Sequence, residues 1–456
     1  MTVLEFPDGA KDATLAVRYG GAVPRYTSYP TAPHFNGRVN GEVYADWLQA
    51  VGDGDKVSLY LHIPFCHEMC WYCGCFTKIV RRYKPVAGYM ETLLDEIDLV
   101  ASRLGGRPRA TCVHFGGGSP TILAPDDWMR VMDRLRERFD IAPEAEIAVE
   151  IDPRTMDQAY IRALALAGVN RASIGVQEFD EEIQKRINRV QPFHVTARVV
   201  NWLYEAGIGN LNLDLMYGLP KQTVRHVEDM TASALTFKAS RIALFGYAHV
   251  PWMKTHQRLI RDEELPGTEE RWQQATRAAE ILVDAGYVRV GFDHFAAPGD
   301  AIVRQGSPGR NFQGYTADTA ETLIGFGASA ISSLRQGYAQ NVASLPSYAQ
   351  AVAEGRLPVH RGIALSADDR LRRFVIERIM CDMSVDLSDA SVRHGMAPDI
   401  LDDAFSALEP LERDGLVEIC GRSIRVTETG RPLVRNVAAA FDRYLKTGEG
   451  RHSAAV

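Results

Sequence analysis

From residue 57 onward, the sequence repeats a unit made of a short apolar strand, a turn and an amphipathic helix. Six segments are predicted to be strands: VSLYLHI (57–63), TCVHF (111–115), EIAVEI (146–151), ASIGV (172–176), LNLDLM (211–216) and RIALFG (241–246). Apolar residues recur at helical spacing in the helix predicted at 87–104. Strands that alternate with helices predict a parallel sheet, and six units are fewer than the eight that close a TIM barrel. The pattern therefore predicts an α/β fold with an open or partial barrel.

The predicted strands alternate apolar and polar residues, although buried parallel strands are usually apolar on both faces. In the first strand, Tyr60 and His62 lie on the face opposite the leucines. Glu150, Gln177 and Asp214 occupy the corresponding polar face of the third, fourth and fifth strands. Burying such groups is costly unless they are hydrogen-bonded. We infer that this face points into the barrel, where it binds a polar ligand or forms a network of side chains and water.

Four of the seven cysteines fall in one short stretch directly after the first predicted strand. They are Cys66, Cys70, Cys73 and Cys75, within VSLYLHIPFCHEMCWYCGC. Structural zinc usually takes C-x2-C pairs from two separate parts of a chain, and the sequence contains no second pair. Three thiolates in a compact run suit an iron–sulfur cluster, and on a four-iron cluster they leave one iron open for chemistry. The spacing favours a cluster over zinc or a redox-active cysteine loop.

Composition and charge argue against several classes of protein. The 456 residues are 46% hydrophobic and 24% charged, which is typical of a soluble globular protein with two or more domains. The net charge of −7 argues against nucleic acid as the main partner. We expect neither a membrane span nor a secretory signal, because no apolar run is long enough and the N-terminus lacks a basic start. The other three cysteines are scattered, so we expect no disulfide framework and a cytoplasmic location.

The N-terminal residues 1–50 are predicted to form an arm outside the barrel. PRYTSYPTAPHF combines prolines with aromatic residues, which suits an extended segment laid over a surface. A disordered terminus is the alternative, and Tyr26, Tyr29 and Phe35 favour an ordered arm.

The remaining chain is predicted to divide near residue 365. Residues 51–365 would form the barrel with its extension, and residues 366–456 a mainly helical domain. A β-hairpin turned at Gly421 gives this domain a winged-helix-like pattern. Its acidic balance favours a lid or packing role over DNA binding.

The cysteine spacing resembles the signature of radical S-adenosylmethionine (SAM) enzymes. Further segments narrow the resemblance: PRYTSYPT (24–31), GVQEF (175–179), LDLMYGLPKQT (213–223), YAHVP (247–251) and RNFQGYT (310–316). With the fourth cysteine, these segments are similar to those of the oxygen-independent coproporphyrinogen III oxidase family. The resemblance extends from about residue 20 to the C-terminus and implies a partial (β/α)6 radical-SAM barrel.

The resemblance implies an oxidoreductase that converts two propionates of coproporphyrinogen III to vinyl groups, giving protoporphyrinogen IX in anaerobic haem biosynthesis. It also implies a [4Fe–4S] cluster, two SAM molecules, a low-potential electron donor of the flavodoxin or ferredoxin type, and a monomer. The nearest alternative is a haem-binding or haem-delivering relative. Such relatives generally lack the fourth cysteine, the PRYTSYPT arm and the RNFQGYT loop.

The resemblance assigns a role to each motif residue. The cluster ligands would be Cys66, Cys70 and Cys73, while Cys75 would be required without being a ligand. Contacts to the cluster-bound SAM would come from Tyr60, Tyr72, Gly117, Glu150 and Ile331. Contacts to a second SAM would come from Gly118, Ser119, Gln177, Arg189, Asp214 and Ala248.

Three further expectations concern individual arginines and His62. Arg189 lies in the helix-forming stretch DEEIQKRINRV, where the residues alone predict a solvated arginine, but the resemblance reverses this expectation and implies a contact to SAM. Arg25 and Arg310 are candidates to pair with the carboxylates of the substrate, because a tetracarboxylate needs cationic partners. His62 is a candidate for proton transfer or for a structural role on the interior face.

Overall fold

A mixed sheet of twelve strands forms the centre of the molecule. We analysed a computed structural model, which describes the backbone of residues 9–445 and the side chains of residues 14–445. The strands are β1 (Lys56–Ile63), β2 (Phe65–Cys66), β3 (Lys78–Ile79), β4 (Arg109–Gly117), β5 (Asp140–Ile151), β6 (Arg171–Gln177), β7 (Asn210–Tyr217), β8 (Arg241–Gly246), β9 (Val288–Val290), β10 (His294–Ala296), β11 (Gly309–Asn311), β12 (Gly314–Thr316), β13 (Thr322–Phe326), β14 (Ile331–Leu334), β15 (Gly337–Asn341), β16 (Val359–Ala364), β17 (Ser384–Asp386), β18 (Val417–Cys420) and β19 (Ser423–Val426).

Helices follow most strands of the parallel part of the sheet. They are α1 (Gly9–Tyr19), α2 (Gly41–Gln49), α3 (Lys84–Ala101), α4 (Pro125–Arg138), α5 (Gln158–Ala167), α6 (Glu181–Arg186), α7 (Phe193–Glu205), α8 (Val224–Leu235), α9 (Thr268–Asp284), α10 (Ala301–Arg304), α11 (Leu345–Ala353), α12 (Ala367–Asp382), α13 (Leu387–Arg393), α14 (Phe405–Arg413) and α15 (Val434–Ala439). The helix predicted at 87–104 is α3, which begins and ends three residues earlier. Pro85 fits its first turn, where no intrahelical N–H is needed. Between residues 9 and 445, no helix has both the length and the apolar character needed to cross a membrane.

The six predicted strands are neighbours in the sheet, in the order β1-β4-β5-β6-β7-β8, and each adjacent pair is parallel. This confirms the predicted α/β fold with an open barrel. The sheet extends further than six units, because β13 adds a parallel strand beside β1, and β14, β15 and β16 continue it in antiparallel order. At the other edge, β10 and β9 add two antiparallel strands.

The alternation predicted for β1 is present in the structure. Leu59, Leu61 and Ile63 belong to the large apolar core between the sheet and its helices. Tyr60 and His62 face the barrel interior together with polar groups of the neighbouring strands. A cavity of about 80 Å³ lies inside the barrel, lined in part by His114, Arg171 and Asp318.

The N-terminal part is ordered where the structure describes it, but it is not extended throughout. Tyr26, Tyr29 and Phe35 are buried, which agrees with an ordered arm. Residues before and after the segment PRYTSYPTAPHF form helices α1 and α2, which were not predicted from the sequence. The side chain of Asn40 caps α2 by accepting hydrogen bonds from the N–H groups of Glu42 and Val43, a helix start that the sequence reading missed.

The C-terminal residues form a second apolar core. Helices α12 to α15 pack with the small antiparallel sheet β17-β19-β18, and Gly421 turns the predicted hairpin with φ of 62°. Leu15, Tyr26 and Tyr29 of the N-terminal part belong to the same core. The N-terminal arm therefore packs against the C-terminal helices as well as the barrel. The part of the C-terminal prediction beyond residue 445, and residues 1–8 of the arm, lie outside the described residues.

Candidate active site

The cysteine loop follows the carboxyl end of β1, the end at which barrels of parallel strands keep their active sites. Cys66 lies in β2, and its sulfur accepts a hydrogen bond from Thr77 Oγ1 at 3.2 Å. The sulfur of Cys70 has two guanidinium neighbours, Arg189 Nη1 at 3.6 Å and Arg154 Nη2 at 3.7 Å. Hydrogen bonds and positive charge at sulfur stabilise thiolates, the form that binds metal.

Side chains from a later segment hold the backbone of the loop. His256 Nε2 is 2.7 Å from the carbonyl of Cys73, and Gln257 Nε2 donates to the carbonyl of Tyr72 at 2.9 Å. Lys254 Nζ donates to the carbonyl of Cys75 at 3.0 Å. These three residues lie in the stretch after β8. The loop that follows the first strand of the barrel is therefore held by the segment that follows the last of the six predicted strands.

The thiols fit an iron–sulfur cluster by their chemistry. Burial and, to a smaller extent, the neighbouring thiols of Cys73 and Cys70 raise the pKa of Cys66 to about 12, although the hydrogen bond from Thr77 acts in the opposite direction. A hydrogen bond with Cys75 lowers the pKa of Cys73 to about 7 and raises that of Cys75, whose backbone N–H also donates to Cys73 Sγ at 3.4 Å. Among residues 14–445, no three His, Cys, Asp or Glu side chains stand close enough to hold a single metal ion. A [4Fe–4S] cluster instead binds each thiolate through a separate iron, so the loop suits it.

A glycine run after β4 brings backbone to the same edge. Gly117 has φ of 116° and donates its N–H to Glu150 Oε2 at 3.1 Å. A Cβ on Gly117 would stand 2.7 Å from the ring of His62, and one on Gly118 would stand 2.6 Å from the carbonyl of Phe65. Only glycine fits at these two positions, and it leaves backbone available for close approach to a ligand.

His62 is held on both sides of its ring. Its Nδ1 lies 3.0 Å from Tyr60 Oη, and its Nε2 lies 3.1 Å from the carbonyl of Phe76. Burial lowers the pKa of His62 below its ordinary value. A neutral ring that donates from Nε2 and accepts at Nδ1 satisfies both contacts. Of the two predicted roles, the hydrogen bonds favour the structural one, in which His62 positions Tyr60.

Arg189 is buried, which contradicts the solvated arginine predicted from its local stretch and agrees with the inward position that the resemblance implies. Its Nη2 donates to the carbonyl of Gly175 at 2.6 Å, and its Nη1 lies 3.4 Å from Asp152 Oδ2. Helix α6 ends at Arg186, and Asn188 has φ of 53°, so the chain turns back and carries Arg189 inward. Burial would raise the pKa of Asp152, but Arg189 and Arg154 outweigh it and hold that pKa well below its ordinary value.

Asp214 lies on the interior face of β7, as predicted. It accepts hydrogen bonds from Ser173 Oγ at 3.0 Å and from Asn212 Nδ2 at 2.8 Å. Burial and the nearby charge of Glu150 raise its pKa to about 6. At the end of β6, Gln177 has φ of 70°, a strained conformation of the kind found at ligand sites.

The other predicted contacts occupy the same edge of the sheet. Ser119 is buried after the glycine run, 3.3 Å from Thr121 Oγ1. The carbonyl of Ala248 accepts from Gln257, the residue that also holds Tyr72. Ile331 begins β14 and packs against Gly325, which is the register partner of Tyr60 in β13.

The two arginines predicted to bind carboxylates are neighbours. Arg310 Nη2 donates to the carbonyl of Arg25 at 3.3 Å, and Arg25 Nη2 donates to the carbonyl of Gly246 at 3.2 Å. Gly246 ends β8, so both guanidinium groups lie near the carboxyl edge of the sheet.

Sequence reasoning missed the polar shell around Cys70. Neither Asp152 nor Arg154 was singled out as a site residue from the sequence. Arg154 Nη2 lies 2.7 Å from Asp152 Oδ2, so the two residues form an ion pair beside the cysteine. The charged residues in IDPRT, directly after a strand with a polar interior face, are the signal that could have found them.

Comparison with known families finds two matches in this chain. Residues 60–234 match the radical SAM superfamily, and residues 365–433 match the HemN C-terminal domain.

Curated proteins named oxygen-independent coproporphyrinogen III oxidase are similar over nearly the whole chain. The protein from Bradyrhizobium diazoefficiens is 50% identical over 97% of this chain and 100% of its own length. The protein from Escherichia coli is 37% identical over 95% of this chain and 96% of its own. A solved structure, described as coproporphyrinogen III oxidase (HemN) from Escherichia coli, a radical SAM enzyme, superposes with a TM-score of 0.88 at 37% identity, covering 92% of this chain and 98% of that one.

Proposed function

This chain belongs to the oxygen-independent coproporphyrinogen III oxidase family of radical SAM enzymes, and from that premise we propose how its own residues divide the work. The enzyme is an oxidoreductase that decarboxylates two propionates of coproporphyrinogen III to vinyl groups, using a [4Fe–4S] cluster and SAM. The cluster and SAM, when bound, supply the radical chemistry that removes hydrogen from the substrate. The protein supplies binding, orientation and exclusion of water.

The observation that carries this proposal is the surroundings of the cysteine loop. Cys66, Cys70 and Cys73 are the proposed cluster ligands, and each sulfur receives a hydrogen bond from another residue. Hydrogen bonds to the sulfurs tune the reduction potential of such clusters. Cys75 is exposed and shares a hydrogen bond with Cys73. We therefore propose that Cys75 contacts the substrate and is not a ligand of the cluster.

We assign Tyr60, Tyr72, Gly117, Glu150 and Ile331 to the cluster-bound SAM. Glu150 accepts from Gly117 and lies 3.4 Å from His114 Nε2, so its carboxylate is fixed where the glycine run presents backbone. Such a carboxylate can hold a ligand amino group by a charge-assisted hydrogen bond. His62 positions the side chain of Tyr60 through the contact between its Nδ1 and Tyr60 Oη.

A second SAM is proposed beside Gly118, Ser119, Gln177, Arg189, Asp214 and Ala248. This second site is supported by the position of Arg189 Nη2 and Gln177 Nε2, which would both stand 3.1 Å from a Cβ placed on Gly175. A guanidinium and an amide, two groups that donate hydrogen bonds to carboxylates, therefore meet over one glycine.

We further propose a flavodoxin- or ferredoxin-type electron donor, a cytoplasmic location and a monomeric enzyme. The seven cysteines are free thiols, which suits the reducing conditions that a cluster with an open iron needs. The monomer is supported by the arm and the C-terminal helices, which reach the site from within the same chain. The elution volume of the reconstituted enzyme in anaerobic size-exclusion chromatography would test the last point.

The proposal is tested by comparing Cys70→Ser with Cys112→Ser after anaerobic reconstitution with iron and sulfide. Cys112 lies in β4 away from the loop and is the matched control. We expect Cys112→Ser to retain the optical and spin-resonance spectra of the cluster and to form protoporphyrinogen IX, whereas Cys70→Ser loses both. A full cluster spectrum and normal turnover in Cys70→Ser would contradict the ligand assignment.

A further inference from the structure

Arginines from four separate parts of the chain meet at the carboxyl ends of β7 and β8. They are Arg25 in the arm, Arg271 in α9, Arg310 in β11 and Arg435 in α15. Arg25 and Arg271 donate to consecutive carbonyls, those of Gly246 at 3.2 Å and Tyr247 at 3.0 Å. The guanidinium of Arg271 also lies over the ring of Tyr217, the last residue of β7, at 5.6 Å.

The other two arginines contact the backbone of the arm. Arg310 Nη2 donates to the carbonyl of Arg25 at 3.3 Å, and Arg435 Nε donates to the carbonyl of Pro24 at 3.0 Å. The arm thus runs between β11 and α15, and it carries Arg25 to the same place as Arg271.

Positive charge accumulates at this place. Burial lowers the pKa of Arg435 to about 10, and the charges of Arg25 and Arg310 lower it as well. Burial and the charge of Arg25 also lower the pKa of Arg271. Like charges held close together in a partly buried site are unfavourable unless an anion joins them.

The described residues supply little negative charge in return. Neither Arg25 nor Arg310 forms an ion pair with any residue in 14–445. Asp293 is a carboxylate near both of them: the charges of Arg310 and Arg25 help to lower its pKa, and it is hydrogen-bonded to His294 at 2.6 Å. The Nε and Nη1 atoms of Arg310 are buried and have no hydrogen-bond partner there.

A purely structural role would explain part of this arrangement, because Arg310 and Arg435 hold the arm. It does not explain why Arg310 keeps two buried donors unused, which costs stability. It also does not explain why the guanidinium of Arg25 is exposed and forms no ion pair with any of residues 14–445, although other cations lie near it. Both features are typical of a site that binds a polyanion.

We propose that Arg25, Arg271, Arg310 and Arg435 together bind carboxylates of the substrate, which makes Arg271 and Arg435 substrate-binding residues in addition to the two arginines identified from the sequence. Guanidinium groups bind carboxylates in a bidentate manner, so several of them can fix a macrocycle with four carboxylates in one orientation. The site is complete only when the arm lies between β11 and α15. This inference rests on the proposed function for the identity of its ligand.

The test is equilibrium binding to the reconstituted holoenzyme, with the fluorescent porphyrin coproporphyrin III as the probe. Its tetra-amide, in which uncharged amides replace the four carboxylates, is the control ligand. We expect Arg25→Gln and Arg271→Gln each to weaken coproporphyrin III binding by about tenfold or more, as for the loss of one charged hydrogen bond. The same variants should bind the tetra-amide as the unaltered enzyme does. Arg271→Lys keeps the charge but not the planar guanidinium group. It should bind coproporphyrin III more tightly than Arg271→Gln does.

Arg413→Gln is the matched surface control, since Arg413 is exposed and pairs only with Glu409 in the described residues. Thermal unfolding measured beside binding identifies any variant whose fold is damaged, and the exposed Arg25 keeps the test valid if Arg271→Gln does not fold. Unchanged affinity for coproporphyrin III in both Arg25→Gln and Arg271→Gln, or an equal loss for acid and tetra-amide, would overturn the inference. The proposed function is judged separately, by whether the unaltered enzyme forms protoporphyrinogen IX.

Discussion

Replacing Arg189 by Met tests the polar shell of the cysteine loop and the proposed second SAM site together. Methionine replaces the unbranched apolar part of the side chain, while the charge and all hydrogen bonds are removed. Breaking a buried ion pair commonly costs about 3–5 kcal/mol, because a charge is left without a partner. Here both main acceptors keep another donor. Asp152 stays paired with Arg154 at 2.7 Å, and the Gly175 carbonyl still accepts from Gln191 Nε2 at 3.2 Å.

We therefore expect the free energy of unfolding to fall by only about 1.5–3 kcal/mol, the value of one charged hydrogen bond. The loss should depend on pH. The folded pKa of Asp152 lies below its unfolded value, so its stabilising contribution is complete above the unfolded pKa and disappears as the pH falls through the folded one. Without Arg189 that contribution shrinks. The difference between the two proteins in urea unfolding should consequently be larger near neutral pH than in acid.

The functional result expected for Arg189→Met is a fall in SAM stoichiometry from two molecules toward one. Losing a charged contact of that size corresponds to about ten- to a hundredfold in affinity. Labelled SAM under anaerobic conditions measures it, and the SAM-perturbed cluster spectrum should remain because Tyr60, Gly117 and Glu150 are untouched. Arg186→Met is the control, since Arg186 is 38% exposed and pairs with Glu264 at 2.6 Å. Two SAM molecules bound with unaltered affinity by Arg189→Met would refute the second-site assignment.

Three other changes have defined outcomes. Cys75→Ser should keep the iron content and cluster spectrum while lowering product formation, and loss of iron in step with activity would show that Cys75 is a ligand. Gly117→Ala should weaken binding of the cluster-bound SAM, measured by its effect on the cluster spectrum, because a Cβ there would stand 2.7 Å from His62. Glu96→Gln should lower the midpoint of urea unfolding, since the three partners of the buried carboxylate are all donors and an amide NH2 would face one of them. Burial raises the pKa of Glu96 to about 7, so this group contributes less to the stability of the native protein as the pH rises from its unfolded pKa through 7. The difference in unfolding free energy between the native protein and the glutamine variant should therefore narrow over that range. A difference that widens would contradict this sign.

The sequence predicted the sheet well because hydrophobic alternation reports directly on which face of a strand is buried. It located Tyr60, Glu150 and Asp214 on the interior face, where the structure also has them. It underestimated the extent of the sheet, since β13 is only five residues long and is contributed by a segment far along the chain. Pairing between such distant segments leaves no periodic pattern in either of them.

The polar shell around the cysteines was harder to predict than the cysteines themselves. The local stretch alone predicted a solvated helix residue at Arg189, because helical spacing continues through it, and only the family resemblance implied a place in the site. Only the left-handed conformation of Asn188 reverses the chain there and buries the arginine. Asp152 and Arg154 pair with each other within IDPRT, but their place beside the cysteines comes from the contact of Arg154 with Cys70, a residue much earlier in the chain.

The central claim is that one chain holds SAM and the propionates of the substrate at the same carboxyl edge of its sheet. It is tested most directly with coproporphyrinogen III that carries deuterium at the β-carbons of its propionates. The reconstituted enzyme is supplied with SAM and a reductant, and the 5′-deoxyadenosine formed is analysed by mass spectrometry. If SAM and the propionates lie together as described, the 5′-deoxyadenosine gains deuterium as protoporphyrinogen IX is formed. Product formation with unlabelled 5′-deoxyadenosine would contradict this placement.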